Sequence, residues 1–141
     1  MNYLRWALLA LAGYTFVAPL MKLATGPDGI PATVGALLAN GILVAVTAGV
    51  VLYTGTPVLE YATDPRMWYV AIAGLCLSVG ILAYYQALAA GPVSVVVPVF
   101  GMFLVTSSLA GVLLLGDAFT LRKGVGICFA IAAVYLTAGP Q

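Results

Sequence analysis

The sequence has little charge and no histidine. Only 6% of its 141 residues are Asp, Glu, Lys or Arg, whereas an ordinary soluble domain carries about 25%. This low charge excludes an ordinary soluble fold, and the hydrophobic content of 64% excludes a disordered chain. The net charge of +1 provides no electrostatic footprint for nucleic acid. Without histidine, the chain lacks the usual general base and the commonest metal ligand.

Residue constellations typical of enzymes are also missing. The sequence contains no Ser/His/Asp set, no phosphate-binding loop and no metal-ligand spacing. Its two cysteines, Cys76 and Cys128, have neither a histidine nor a second cysteine nearby, so they form a poor metal site. We therefore expect a protein that is not an enzyme and that holds no cofactor and no metal.

The few charged residues outline the membrane-spanning segments. They leave uncharged stretches at 6–21, 29–59, 67–116 and 124–141, and a spanning helix needs about 20 apolar residues. The stretch 67–116 therefore holds two spans, divided at Ala90-Gly91-Pro92. Continuous apolar runs favour helices over a β-barrel, whose strands alternate. We predict an all-α integral membrane protein, a single domain over residues 1–141, with five transmembrane helices at 6–23, 32–53, 67–89, 93–115 and 121–138.

The first span resembles a signal peptide, because Arg5 precedes an apolar stretch. No Ala-x-Ala cleavage site follows it, so we interpret it as a retained helix.

The orientation in the membrane follows from the cationic residues in the loops, since Lys and Arg are enriched on the cytoplasmic side. With the N-terminus inside, Arg5, Arg66, Arg122 and Lys123 are cytoplasmic and only Lys22 is not. This excess of four cationic residues over one predicts a multi-pass protein of the cell membrane with a cytoplasmic N-terminus and an external C-terminus.

Several polar or helix-breaking residues fall inside the predicted spans, where each is costly without a partner. Asn40 can donate and accept hydrogen bonds, so it either cross-links helices or lines a wet path. Pro19 cannot donate to the Thr15 carbonyl, and Pro98 cannot donate to that of Ser94. We therefore expect bends in the first and fourth helices.

Three sequence motifs carry a family resemblance: YYQAL at 84–88, GPVSVVVPV at 91–99 and LGDAFTLRKGVG at 115–126. In order and spacing they resemble the EamA-like family of the drug/metabolite transporter superfamily. That family has a third helix ending in Ala-Leu, a Ser shortly before a Pro early in the fourth helix, and a Leu-Gly-Glu turn before the fifth. Asp117 stands where the family usually has Glu. The opening helix, with Gly13, Pro19 and Lys22, is also similar to the family's first helix.

The resemblance implies a transporter assembled from two halves. Family members commonly have ten spans in two five-span halves of inverted topology, and this chain resembles one half. A central site would lie between the inverted repeats and open alternately to each side. An antiparallel partner would complete the pair, as a homodimer with a second copy or as a heterodimer with another half-length chain.

We therefore predict a half-size transporter for a small polar or amphipathic metabolite, working by alternating access in the lipid bilayer. Pro19 and Pro98 are the predicted hinges, and Lys22 and Asp117 are charges at the membrane interface. Lys22 is either an interfacial anchor or a charge at the mouth of a polar cavity. Seven side chains are predicted to line the substrate pathway: Tyr14, Asn40, Ser78, Tyr85, Gln86, Ser94 and Ser108. The alternatives are a non-transporting membrane scaffold or accessory subunit, and a flippase subunit for lipid-linked amphiphiles.

Overall fold

The computed structural model describes residues 2–138, which form helices joined by short turns, with no strand among them. Within this range, five helical stretches are long and apolar enough to cross a membrane. They are Tyr3–Ala24, Ala32–Thr54, Met67–Ala90, Val93–Leu115 and Leu121–Ala138. These bounds agree with the predicted spans to within three residues. The prediction of an all-α protein with five membrane-spanning helices is confirmed.

The described residues form eight helical segments; seven of them build the five spans, because two spans are interrupted, and the eighth lies in a connection. The segments are α1 Asn2–Thr15, α2 Val17–Ala24, α3 Ala32–Thr54, α4 Val58–Ala62, α5 Met67–Ala90, α6 Val93–Gly101, α7 Phe103–Leu115 and α8 Leu121–Ala138. Helices α1 and α2 make up the first span, and α6 and α7 make up the fourth. The five-residue helix α4, which the sequence analysis does not predict, lies in the connection between the second and third spans.

The two interruptions lie near the two prolines of the spans. The first falls at Phe16, three residues before Pro19 and next to the Thr15 carbonyl that Pro19 cannot reach. The second falls at Met102, whereas Pro98 itself lies inside α6. The Met102 amide donates to the Val99 carbonyl at 3.2 Å, which is a tighter turn than an α-helix makes. The break in the fourth span is therefore one turn later than Ser94 and Pro98 predict.

Glycine residues end two of the long helices. Gly55 follows α3 with φ of 66°, and Gly116 follows α7 with φ of 72°, a conformation that other residues rarely adopt. At the end of α3, the Thr56 amide donates to the Val51 carbonyl and the Gly55 amide to the Leu52 carbonyl, which together form a Schellman motif. These caps keep the connections short.

The helices form two compact units, one up to Ala90 and one from Gly91 onward. In the first unit, α5 packs against α3 and α2, and α1 contacts α2. In the second unit, α6 packs against α8 and contacts α7. Few side chains are buried within the units, and large apolar side chains such as Leu52 and Leu113 are more than 80% exposed. Such a surface is suited to hydrocarbon, which does not penalise exposed apolar groups.

Candidate functional site

A groove between α3 and α5 brings together two of the predicted pathway residues, Asn40 and Ser78. Its volume is about 370 Å³. We call it the Asn40 groove, and its lining consists of Thr33, Ala36, Leu37, Asn40, Leu77, Ser78, Ile81 and Leu82. The small Ala36 side chain, only 2% exposed, is one of the contacts that let the two helices approach closely.

Asn40 is the principal polar group of this groove. It is half-buried, and its side-chain Nδ2 donates a hydrogen bond of 2.8 Å to the Ala36 carbonyl one turn earlier. Among the described residues, its Oδ1 atom and its second amide hydrogen have no protein partner. The carboxamide is therefore fixed to its own helix while one donor and one acceptor remain available to a ligand.

Ser78 contributes a hydroxyl from the facing helix. Its Oγ donates to the Gly74 carbonyl at 2.8 Å, so its proton is used within α5 while the oxygen can still accept. The remaining lining is apolar apart from Thr33. This arrangement can recognise a ligand by hydrogen bonds and apolar contact.

The predicted pathway residue Tyr85 does not line the Asn40 groove. It is 5% exposed, beside Tyr84 at 9% and Leu88 at 0%. The ring centroids of the two tyrosines are 5.9 Å apart. Tyr14, on helix α1, is exposed and lies outside the groove. Gln86, the third consecutive hydrogen-bonding residue, is exposed and lies outside the groove.

Lys22 connects α2 to the end of α5. Its Nζ donates a hydrogen bond of 3.1 Å to the carbonyl of Ala89, in the last turn of α5, and the side chain is half-buried. A cation at a helix C-terminus is favourable because it pairs with carbonyls that lack intrahelical partners. Lys22 therefore caps a neighbouring helix, a role that the sequence analysis does not anticipate.

The second unit has its own, smaller groove, of about 290 Å³, between α7 and α8. Ser108 and Lys123 both line it, but each is already bonded to a backbone carbonyl. Ser108 donates to Leu104 at 2.7 Å and Lys123 donates to Ala118 at 2.7 Å. Ser94, the other predicted pathway residue in this unit, is exposed and lies outside this groove.

Asp117 lies in the turn that follows α7, where its backbone amide donates to the Gly111 carbonyl at 3.2 Å. Its carboxylate lies over Gly111, because a Cβ atom added there would be 2.9 Å from Asp117 Oδ2.

The connection between α2 and α3 contains contacts that the sequence analysis misses. Thr25 is 4% exposed, and its hydroxyl donates to the Met21 carbonyl at 2.8 Å. Its methyl group would be 3.1 Å from a Cβ atom on Gly35 of α3. The run TGPDG at 25–29 signals a turn, but only tertiary packing reveals that the turn is fixed against α3.

Comparison with known proteins relates nearly the whole chain to transporters. The model of the EamA-like transporter family matches residues 1–139. A Sinorhizobium protein named as an uncharacterized transporter in the cobO 3′ region is 30% identical over 134 residues. That match covers 94% of this chain and 94% of the relative. No solved structure matches the chain.

Proposed function

This chain belongs to the EamA-like transporter family, and from that premise we propose that it carries a small polar or amphipathic metabolite across the cell membrane. The family and the name of the Sinorhizobium relative point to a membrane transporter rather than an enzyme. Five helices able to span a bilayer are those of a multi-pass membrane protein.

In the proposed assembly, the chain is one half of an alternating-access transporter. An odd number of spans puts the two ends of the chain on opposite sides, so an antiparallel partner supplies the inverted repeat. The partner is a second copy or another half-length chain. The Sinorhizobium relative, matched over 94% of its own length, supports a transporter chain of this size. A cytoplasmic N-terminus is favoured because it puts four cationic residues on the cytoplasmic side and one on the external side.

The observation that carries the proposal is the Asn40 groove. A carboxamide with unused hydrogen-bonding capacity is costly in hydrocarbon, but it is useful where a polar solute or water reaches it. Asn40 and Ser78 come from two facing membrane-spanning helices, so a solute between them lies within the span. Pro19 and Pro98 are the proposed hinges, because each lies within four residues of the point where its span is interrupted.

Cysteine labelling tests this function without knowledge of the substrate. In a background carrying Cys76→Ala and Cys128→Ala, we expect Asn40→Cys and Ser78→Cys to react with a membrane-impermeant thiol reagent applied from either side. Leu38→Cys, on the same helix but outside the groove, is the matched control and should stay unreactive. Labelling from neither side contradicts transport and favours a scaffold or accessory subunit. Labelling from one side only contradicts alternating access.

A further inference from the structure

The lining of the Asn40 groove carries no charge. Helices α3 and α5, which form it, contain no Asp, Glu, Lys, Arg or His anywhere along their lengths. The hydrogen-bonding side chains of the lining are those of Thr33, Asn40 and Ser78. The groove therefore offers neutral dipoles to a ligand and no countercharge.

An ion would be poorly stabilised there. Removing a charge from water is repaid only when an opposite charge or several hydrogen bonds replace the lost hydration. The amine of Lys22 donates to the Ala89 carbonyl. Ala89 lies seven residues beyond Leu82, the end of the groove on α5, which is about 10 Å along the helix axis. Lys22 is thus committed to the helix end and does not neutralise an anion in the groove.

The unused atoms of Asn40 define the head group that fits. Its Oδ1 accepts and its second amide hydrogen donates, since the first is bonded to Ala36. A carboxamide carries both a donor and an acceptor, so it can pair with both unused atoms of Asn40. A carboxylate cannot donate, and an ammonium group cannot accept, so each leaves one Asn40 atom unpaired.

The rest of the groove suits an apolar body. The volume of about 370 Å³ falls at the lower end of the roughly 300–1,000 Å³ typical of small-molecule sites. Leu37 on α3 and Leu77, Ile81 and Leu82 on α5 supply the apolar surface. A ligand filling this space places its apolar part against these side chains and its polar head at Asn40.

We propose that the Asn40 groove binds a net-uncharged amphipathic solute with a carboxamide-like head, and that Asn40 selects it against ions of the same shape. This inference rests on the proposed transport function, because it names the solute class that the same site would carry. It assigns substrate selection to Asn40 and shape recognition to the apolar lining.

Three probes with one phenyl body test the proposal: phenylacetamide, phenylacetate and phenethylammonium at pH 7. Binding to the full chain in lipid nanodiscs is measured with radiolabelled probes. We expect phenylacetamide to bind at least about 10-fold more tightly than either ion, the difference that one unpaired polar group produces. Equal binding of the three probes, or preference for an ion, overturns the proposal. Binding of none also overturns it and leaves the groove to a lipid chain or a partner helix.

Two variants locate the selection at Asn40. Asn40→Leu keeps a similar size, and leucine is favourable in a membrane span, so the fold is retained. We expect this variant to lose about 10-fold or more in phenylacetamide affinity and to lose its preference for the amide. Thr47→Leu makes a comparable polar-to-apolar change two turns along α3, outside the groove. It should leave the phenylacetamide affinity and the preference for the amide unchanged. An unchanged preference in Asn40→Leu overturns the assignment.

The labelling experiment separates failure of this inference from failure of the proposed function. If Asn40→Cys is reached from both sides but the probes show no amide preference, the chain is a transporter with a different solute class. If the position is reached from neither side, the transport proposal itself fails. The two results are independent because labelling requires no ligand.

Discussion

At the scale of single residues, Lys22 shows how a charge inside a span is stabilised by a neighbouring helix. Its hydrogen bond to the Ala89 carbonyl pairs a cation with the C-terminal end of α5. Lys22→Met keeps the length and the apolar stem but removes the donor. We expect a loss of about 1.5–3 kcal/mol in the free energy of unfolding, the usual range for a hydrogen bond to a charged group. Thermal unfolding in detergent measures this loss.

Lys123 provides the matched control for this prediction. Its Nζ also donates to a backbone carbonyl, that of Ala118, but the side chain is exposed and the partner lies only five residues away along the chain. Lys123→Met should therefore destabilise the protein less than Lys22→Met, and Lys22→Arg should retain most of the stability because it keeps the cationic donor. Equal losses for the two methionine variants would contradict the capping role of Lys22.

A second residue-scale prediction concerns the turn between α2 and α3. A Cβ atom on Gly29 would overlap the carbonyl group of Ala24, whose oxygen accepts the Ile30 amide at 2.9 Å. Because backbone cannot move aside as a side chain can, Gly29→Ala should cost about 1–3 kcal/mol in thermal unfolding. Gly26→Ala, in the same turn, meets only an ordinary contact of 3.6 Å and should be nearly neutral. Similar effects in both variants would contradict the steric explanation.

The candidate site shows what single residues reveal from sequence alone. Asn40 and Ser78 stand out because a span tolerates few polar side chains, and the structure places them in one groove. Tyr84, Tyr85 and Gln86 stand out equally, but consecutive residues point about 100° apart around a helix. Which of them is buried depends on the helix packed alongside, so the burial of Tyr85 and the exposure of Gln86 follow only from tertiary structure.

At the scale of helices, the first span invites a test of the proposed hinge. Pro19 cannot donate to Thr15, and the helix is interrupted at Phe16. Pro19→Ala restores the donor, so α1 and α2 should join into one helix and the free energy of unfolding should rise by about 1–3 kcal/mol. If bending there accompanies transport, labelling of Asn40→Cys should become slower from one side in the same variant. Thermal unfolding and labelling rates provide the two measurements.

Pro31→Ala is the control, because Pro31 precedes α3 and its missing amide would have no partner within that helix. It should raise stability little and leave the labelling rates unchanged. If Pro19→Ala stabilises the protein but labelling remains equally fast from both sides, Pro19 interrupts the helix without acting as a hinge.

Helix positions were more predictable than helix continuity. The spacing of nine charged residues, with the turn signal at Gly91-Pro92, located all five spans, because a charge in hydrocarbon is costly and charges therefore collect at span ends. The break at Met102 was not predicted at its position, since it depends on how the helix relaxes after Pro98. Helix α4 was missed because its five residues lie in a polar connection without a recognisable hydrophobic period.

At the scale of the whole molecule, the direction of insertion into the membrane decides which antiparallel partner the chain can have. Arg5, Arg66, Arg122 and Lys123 favour one orientation and Lys22 the other, so replacing both Arg122 and Lys123 by Gln reduces the bias to two against one. In the cysteine-free background, Thr63→Cys reports orientation, because Thr63 is exposed in the connection before α5. We expect the fraction labelled from outside intact cells to be larger in the double variant than in the parent.

The same measurement on the parent distinguishes the two proposed partners. An antiparallel homodimer requires both orientations in comparable amounts, so about half of Thr63→Cys would be labelled from outside before the cells are opened. A single orientation would require a separate half-length chain as the inverted partner. Arg66→Gln provides an internal check, because it also lowers the inside charge and should shift the fraction in the same direction but less than the double change. No shift in either variant would contradict control of orientation by these cationic residues.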